Sequence, residues 1–189
     1  MTTKILKVGF DLDGVILYNP ARVIRPIIAQ VKKNFLQKKQ LSFYYPKTKL
    51  EKYFWRVFHK SSIFIAPGFE EIINLTKNKK IQSYIVTARF NYLEQGFQQW
   101  LQKSQAKKYF HGCFHNVDDM QPHLFKEKMI KQLGLDIYVE DNWDIVQYLQ
   151  KKFPQKKIYW IYNFCDRNNI YNNKFPNLKQ VNKKIKSLI

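Results

Sequence analysis

Cysteine is nearly absent: Cys113 and Cys165 are the 2 cysteines in 189 residues. That excludes a disulfide scaffold, and the two lack the paired spacing of a zinc site. No uninterrupted apolar run approaches the ~18 residues a membrane-spanning helix requires. No apolar leader with a cleavage site precedes the first β-prone run, so the sequence reads as a cytoplasmic protein of a reducing compartment. Glycine is scarce, at 6 residues, and no glycine-rich loop of the kind that cradles ATP phosphates is present, which argues against a kinase. There is no internal repeat and no low-complexity linker. Acidic residues are also few, 14 against 33 Lys and Arg, for a net charge of +19. What is abundant is core-forming material, 45% hydrophobic and 16% aromatic, enough for one ordinary folded domain with a small insertion.

A charge of +19 would ordinarily point to a polyanion, because clustered Lys and Arg gain affinity by releasing counterions from phosphates. In the sequence the clusters do not concentrate. Pairs such as Lys38-Lys39, Lys79-Lys80, Lys107-Lys108, Lys156-Lys157 and Lys183-Lys184 are spread along the whole chain, and Lys outnumbers Arg 28 to 5. The pattern reads as a decorated, solvated surface, with nucleic acid as a possible but not favoured partner and no membrane.

Short apolar runs alternate with helical patterns. Ile5 to Phe10, Ile81 to Val86, Tyr109 to Phe114, Ile137 to Val139 and Ile158 to Tyr162 read as strands buried on both faces. Phe69 to Leu75, Tyr92 to Leu101, Leu124 to Leu133 and Ile145 to Leu149 read as the helices between them. This alternation predicts an α/β fold, a Rossmann-like three-layer parallel sheet with right-handed crossovers, whose ligand site lies at the carboxyl ends of the strands. The stretch from Tyr18 to Pro67 breaks the alternation. Ile24, Ile27, Ile28, Val31 and Phe35 recur at helical spacing, as do Leu50, Tyr53, Phe54, Val57 and Phe58, with Phe43-Tyr44-Tyr45-Pro46 between the two sets. The expected organisation is a core of residues 1–17 and 68–189 with a small helical cap, 18–67, inserted after the first strand.

Although acids are scarce, Asp11, Asp13, Glu140, Asp141 and Asp144 fall at or just past two strand ends. Carboxylates placed side by side repel unless a cation or a shared proton sits between them. Mg2+ suits such a site, since it takes oxygen ligands and uses few carboxylates. For Asp144 a helix-cap reading stands beside this one, as it does for Thr87. At Phe10-Asp11-Leu12-Asp13-Gly14-Val15, Thr87, a lysine ahead of the fourth strand, and Val139-Glu140-Asp141-Asn142-Trp143-Asp144, the sequence resembles the haloacid dehalogenase superfamily of phosphohydrolases. The resemblance spans nearly the whole chain.

The resemblance implies a Mg2+-dependent phosphomonoesterase. Asp11 would be the nucleophile that forms an aspartyl-phosphate, and Asp13 the acid and base for leaving group and water. Asp11 and Asp141 would hold the metal, with the Asp13 backbone carbonyl facing it and Glu140 acting through water or from behind. Thr87, Ala88 and Arg89 would contact the phosphate. Among Lys126, Lys128 and Lys131, Lys126 is nearest the helix start and is the favoured active-site lysine, with Lys128 next. The runs Thr87-Ala88-Arg89, Leu135 to Asn142 and Trp160-Ile161-Tyr162-Asn163 are similar to the small 5′-nucleotidase and deoxyribonucleotidase branch, implying a small phosphorylated metabolite, a nucleotide, as substrate. A DNA or RNA end phosphatase and a non-catalytic phosphate-binding protein are the alternatives. Phe43, Tyr44, Tyr45, Phe54 and Trp55 could stack on a base or form lid core. His59, His111, His115 and His123 read as structural, and Asp118-Asp119 as a loop or helix cap.

Overall fold

The computed structural model describes residues 5–18, 41–60 and 64–189. The helix expected over Ile24 to Phe35 lies outside the described residues.

Six parallel strands form the main sheet in the order β5-β4-β1-β6-β7-β8. They are β1 (Leu6–Phe10), β4 (Ile81–Phe90), β5 (Gly112–Asn116), β6 (Ile137–Glu140), β7 (Lys157–Ile161) and β8 (Lys174–Phe175). Two short strands, β2 (Leu17–Tyr18) and β3 (Phe64–Ile65), pair antiparallel, so the chain leaves the core and re-enters it side by side. Between them α1 (Lys49–Lys60) spans the second set of residues expected at helical spacing, Leu50 to Phe58. The remaining helices are α2 (Phe69–Lys77), α3 (Glu94–Lys103), α4 (Ala106–Tyr109), α5 (Pro122–Leu133), α6 (Trp143–Lys152) and α7 (Leu178–Lys186).

Side chains alternate across the sheet as a doubly covered strand requires. Val8, Phe10, Val139 and Tyr159 join one core with α2, α3 and α7. Val86, Tyr138, Ile158 and Trp160 join the other with α5 and α6. This is the three-layer architecture read from the sequence.

The helix that matters most for the site, α5, has sharp ends. Pro122 occupies its first turn, where no backbone N–H is needed, and Gly134 ends it in the left-handed conformation at φ +63°. β6 follows directly, so α5 runs antiparallel to it and its first turns lie at the strands' carboxyl ends. Four elements differ from expectation. Residues 109–111 belong to the end of α4 and a turn, so β5 starts at Gly112; β8 and α7 extend the sheet and cover it where no strand or helix was expected; and β4 is longer than the Ile81 to Val86 run.

Candidate active site

At the end of β1 the chain reverses within a few residues. Ile16 and Leu17 N–H both donate to Leu12 O, at 3.1 and 2.8 Å, and Gly14 N–H donates to Leu17 O at 2.7 Å. Gly14 sits at φ +93°, and a β-carbon there would lie 2.1 Å from Asp141 Oδ2. Glycine is needed twice over: for the left-handed backbone and to let a carboxylate from β6 close against the β1 loop.

Parallel pairing of β1 with β6 (Phe10↔Val139) brings the two acidic strand ends level, and Asp11 N–H donates to Val139 O at 2.9 Å. Asp11, Glu140 and Asp141 each offer an oxygen within 4.8 Å of the others, and all three are buried. Lys126 enters from α5: its Nζ lies 3.1 Å from Asp11 Oδ2 and donates to Glu140 Oε2 at 2.5 Å. Lys126 is buried, whereas Lys128 pairs with Asp118 on the surface and Lys131 with Glu127. Helical spacing thus points one of the three lysines inward and leaves the others in solvent.

Glu140 is engaged at both oxygens. Oε1 accepts the N–H groups of Asp141 and Asn142 at 3.2 and 3.0 Å, and Oε2 takes Lys126. It therefore stands behind Asp11 and Asp141 and orients the lysine. Burial pushes the carboxyls of Asp11 and Glu140 up, Lys126 opposes this, and neighbouring carboxylates add to it. For Lys126 burial works toward a lower value, but Asp11 and Glu140 outweigh it and hold the ammonium protonated. Ionised, the cluster sets three carboxylates against one ammonium. The remainder is the charge of one divalent cation, and oxygen donors are what Mg2+ takes, so the residues fit that ion.

Asp13 stands apart from this cluster. Both its oxygens accept from Arg89, Nε to Oδ2 and Nη2 to Oδ1, each at 2.8 Å. Burial alone would raise its carboxyl; the fork of Arg89 overrides that and holds it well below the usual carboxylate range. His59 of α1 approaches the same carboxylate, Nδ1 to Oδ2 at 3.6 Å. Read as structural in the sequence, His59 meets Asp13; no spacing pattern links two residues so far apart in the chain.

Thr87, expected after the second strand, lies inside β4. The strand continues because β5 pairs with it, Thr87↔His115, and after a register shift Phe90↔Asn116. Thr87 is buried, and its Oγ1 accepts Arg89 N–H at 3.4 Å, while Ala88 packs against the α5 and α6 side of the core. Arg89, assigned to phosphate from the sequence, has Nε and Nη2 on Asp13. Asp144 is exposed in the first turn of α6, where Asn142 provides the cap by accepting Asp144 N–H at 3.0 Å and Ile145 N–H at 3.4 Å. Of the cap aromatics, Phe54 is exposed and Tyr45 packs edge-on against Phe90; Tyr44, Trp55 and His59 form a row leading to Asp13. Asp119 ties Asn91 N–H and Tyr45 Oη at 2.7 and 2.8 Å.

Comparison with protein-family models finds no match, and comparison with curated protein sequences finds none either. Solved structures do match over nearly the whole chain. A haloacid dehalogenase (HAD) hydrolase of family IA, variant 3, from Entamoeba histolytica is 13% identical with a TM-score of 0.60, covering 96% of this chain and 100% of that one. A variant of CbbY from Rhodobacter sphaeroides, in complex with xylulose-(1,5)bisphosphate, is 12% identical with a TM-score of 0.60 over 94% of this chain and 96% of that one. A HAD family enzyme from Bacteroides thetaiotaomicron, in complex with magnesium and inorganic phosphate, is 14% identical with a TM-score of 0.50 over 83% and 94%. Strand order, the paired acidic strand ends and these likenesses agree: the chain has the fold of the haloacid dehalogenase superfamily of hydrolases.

Proposed function

We propose that the chain is a Mg2+-dependent phosphomonoesterase acting on a small phosphorylated metabolite through an aspartyl-phosphate. The observation that carries this reading is the buried group of Asp11, Lys126, Glu140 and Asp141 at the carboxyl ends of β1 and β6, with Asp13 held separately beside it. An Asp11 oxygen attacks phosphorus, the ester oxygen leaves as an alkoxide that takes a proton from solvent, and water, giving up a proton to Asp13, then attacks the acyl phosphate to release inorganic phosphate and restore Asp11. Lys126 neutralises charge on the phosphoryl oxygens as the nucleophile commits, and the Thr87 hydroxyl lies on the next strand as a further donor. Asp13, ionised on Arg89, is in the state that accepts a proton from the attacking water. A divalent cation on Asp11 and Asp141 would supply further positive charge to the phosphoryl group.

Residues 18–67 are read as the cap over this site. The finer substrate reading, a nucleoside monophosphate, is supported by the Tyr44, Trp55 and His59 row, which offers ring faces on the approach to Asp13. The neighbours with bound ligands hold phosphate or a sugar bisphosphate, so sugar phosphates belong in the same screen.

The test is a screen of phosphorylated metabolites with Mg2+ present, repeated on Asp11→Asn. Turnover is expected to require the metal and to vanish in the variant, while the metal-free melting temperature holds or rises because one of the repelling carboxylates is neutralised. Wild-type turnover in Asp11→Asn would end the covalent mechanism. A preference for sugar phosphates would end the nucleotide reading alone.

A further inference from the structure

The lysines that look dispersed in the sequence are gathered by the topology. In a parallel sheet each helix runs back against its strands, so helix C-termini and strand N-termini share one edge. Among the described residues that edge collects the basic pairs; Lys38-Lys39 lies outside them. α2 closes on Lys77, followed by Lys79 and Lys80 ahead of β4; Lys107 and Lys108 fall in α4 ahead of β5. Lys151 and Lys152 close α6, Lys157 opens β7, and Lys183 and Lys184 fall in the last turn of α7. All of these are exposed.

Contacts show that these ends meet. Lys77 Nζ lies 4.4 Å from the Tyr109 ring centroid, joining the ends of α2 and α4. Lys7 Nζ donates to Leu133 O at 3.3 Å and Lys156 Nζ to Leu135 O at 2.5 Å, joining the start of β1, the end of α5 and the turn before β7.

The acids go the other way. Glu70, Glu71, Glu94 and Asp144 lie in the first turns of α2, α3 and α6, Glu140 is the last residue of β6, and Asp118, Asp119, Asp141 and Asp166 follow strand ends. Among the described residues the acid on the basic edge is Asp136, whose carboxylate takes Lys7 N–H at 3.0 Å; Glu71 pairs with Lys186 of α7 at 3.1 Å. Helix C-termini carry about half a negative charge each, which a single lysine per helix more than offsets. Two or three lysines per turn leave a large excess that helix capping does not explain.

We propose that this edge of the sheet is a docking surface for duplex nucleic acid, gripped through its phosphates without sequence preference, at the opposite end of the core from the carboxylate site. Lysine ammoniums are point charges suited to phosphates and lack the guanidinium fork that reads bases. Single strands are held on exposed aromatic platforms; among the described residues the aromatics at this edge, Trp100 and Tyr109, are half-buried, Tyr109 under Lys77 and Lys108. A lipid surface wants inserted apolar side chains, and among the described residues the exposed large ones at this end are Ile5 and Ile189. Five residues of β1, at about 3.3 Å each, put this surface about 16 Å from Asp11, so the bound duplex is a tether and not the substrate. The inference does not depend on the phosphatase reading.

The experiment is fluorescence anisotropy of a labelled 24-base-pair duplex with the full chain in 50 and 200 mM salt. With about five phosphate contacts, affinity is expected to fall several hundredfold between the two. Lys80→Glu with Lys157→Glu should lower affinity at least about tenfold and reduce the salt slope by about two. Lys47→Glu with Lys49→Glu, the same charge change on exposed cap positions, should leave affinity within about twofold. Thermal melting checks that both doubles are folded. Absence of duplex binding at 50 mM, equal losses in both doubles, or binding to phosphatidylserine vesicles in place of duplex would each overturn the proposal.

Discussion

Lys126 is the residue on which the carboxylate cluster depends for balance. Removing one partner of a buried ion pair costs about 3–5 kcal/mol because the other is left uncompensated. Lys126→Ala is therefore expected to melt lower without metal and, assayed well below that temperature, to lose at least about a hundredfold in turnover. Lys128→Ala, which removes only a surface pair with Asp118, should match wild type in both. The reverse pattern would mean that the wrong turn of α5 faces the substrate. Cys113 offers a pH test. Burial pushes its thiol up to about 11, so it is protonated at neutral pH. In Cys165→Ser protein, alkylation of Cys113 at pH 8 should run about a hundredfold slower than for an ordinary cysteine and rise about tenfold per pH unit until pH approaches 11. A rate already levelling by pH 9 would contradict the burial.

Between single residues and the whole fold, the segment leading into α1 is tethered to the loop ahead of α5. Phe43 N–H donates to Gln121 Oε1 at 2.7 Å, and Gln121 Nε2 donates to Phe43 O at 3.3 Å, a reciprocal pair like one rung of a ladder. Tyr45 adds its bond to Asp119 and its edge against Phe90. The loop that starts the Lys126 helix thus also fixes the approach of α1, and with it His59 at Asp13. Gln121→Ala removes both rungs, worth about 1 kcal/mol each. Amide exchange in residues 43–60 is expected to speed up by about tenfold or more while β1 and β6 keep their protection. Uniform acceleration across the molecule would show that the tether belongs to the global core instead.

At the scale of the molecule, a net charge of +19 over the whole chain produces self-repulsion that compactness makes worse. Salt screens it within about 10 Å at 0.1 M. The melting temperature should therefore rise between 20 and 200 mM sodium chloride, and more for wild type than for Lys80→Glu with Lys157→Glu, which relieves the crowded edge. A melting temperature that falls with salt would indicate that attractive pairs dominate.

The sequence by itself determined the sheet and the position of its chemistry. Continuous apolar runs such as Ile137 to Val139 can be buried on both faces only in a covered parallel sheet, and acids placed at their ends mark its carboxyl edge. Asp-Leu-Asp-Gly carried its own geometry, because Gly14 is required where Asp141 closes in. Other features depend on partners distant in the chain. The length of β4 past Thr87 comes from pairing with β5, and the choice of Lys126 from which face of α5 meets β1 and β6. Arg89 met Asp13, and His59 reached it from α1, through contacts that no local spacing encodes. The charge is the clearest case: among the described residues, lysine pairs from separate crossovers meet on one edge because each crossover returns the chain to the same end of the sheet. Composition set how much charge there is, and topology alone decided where it gathers.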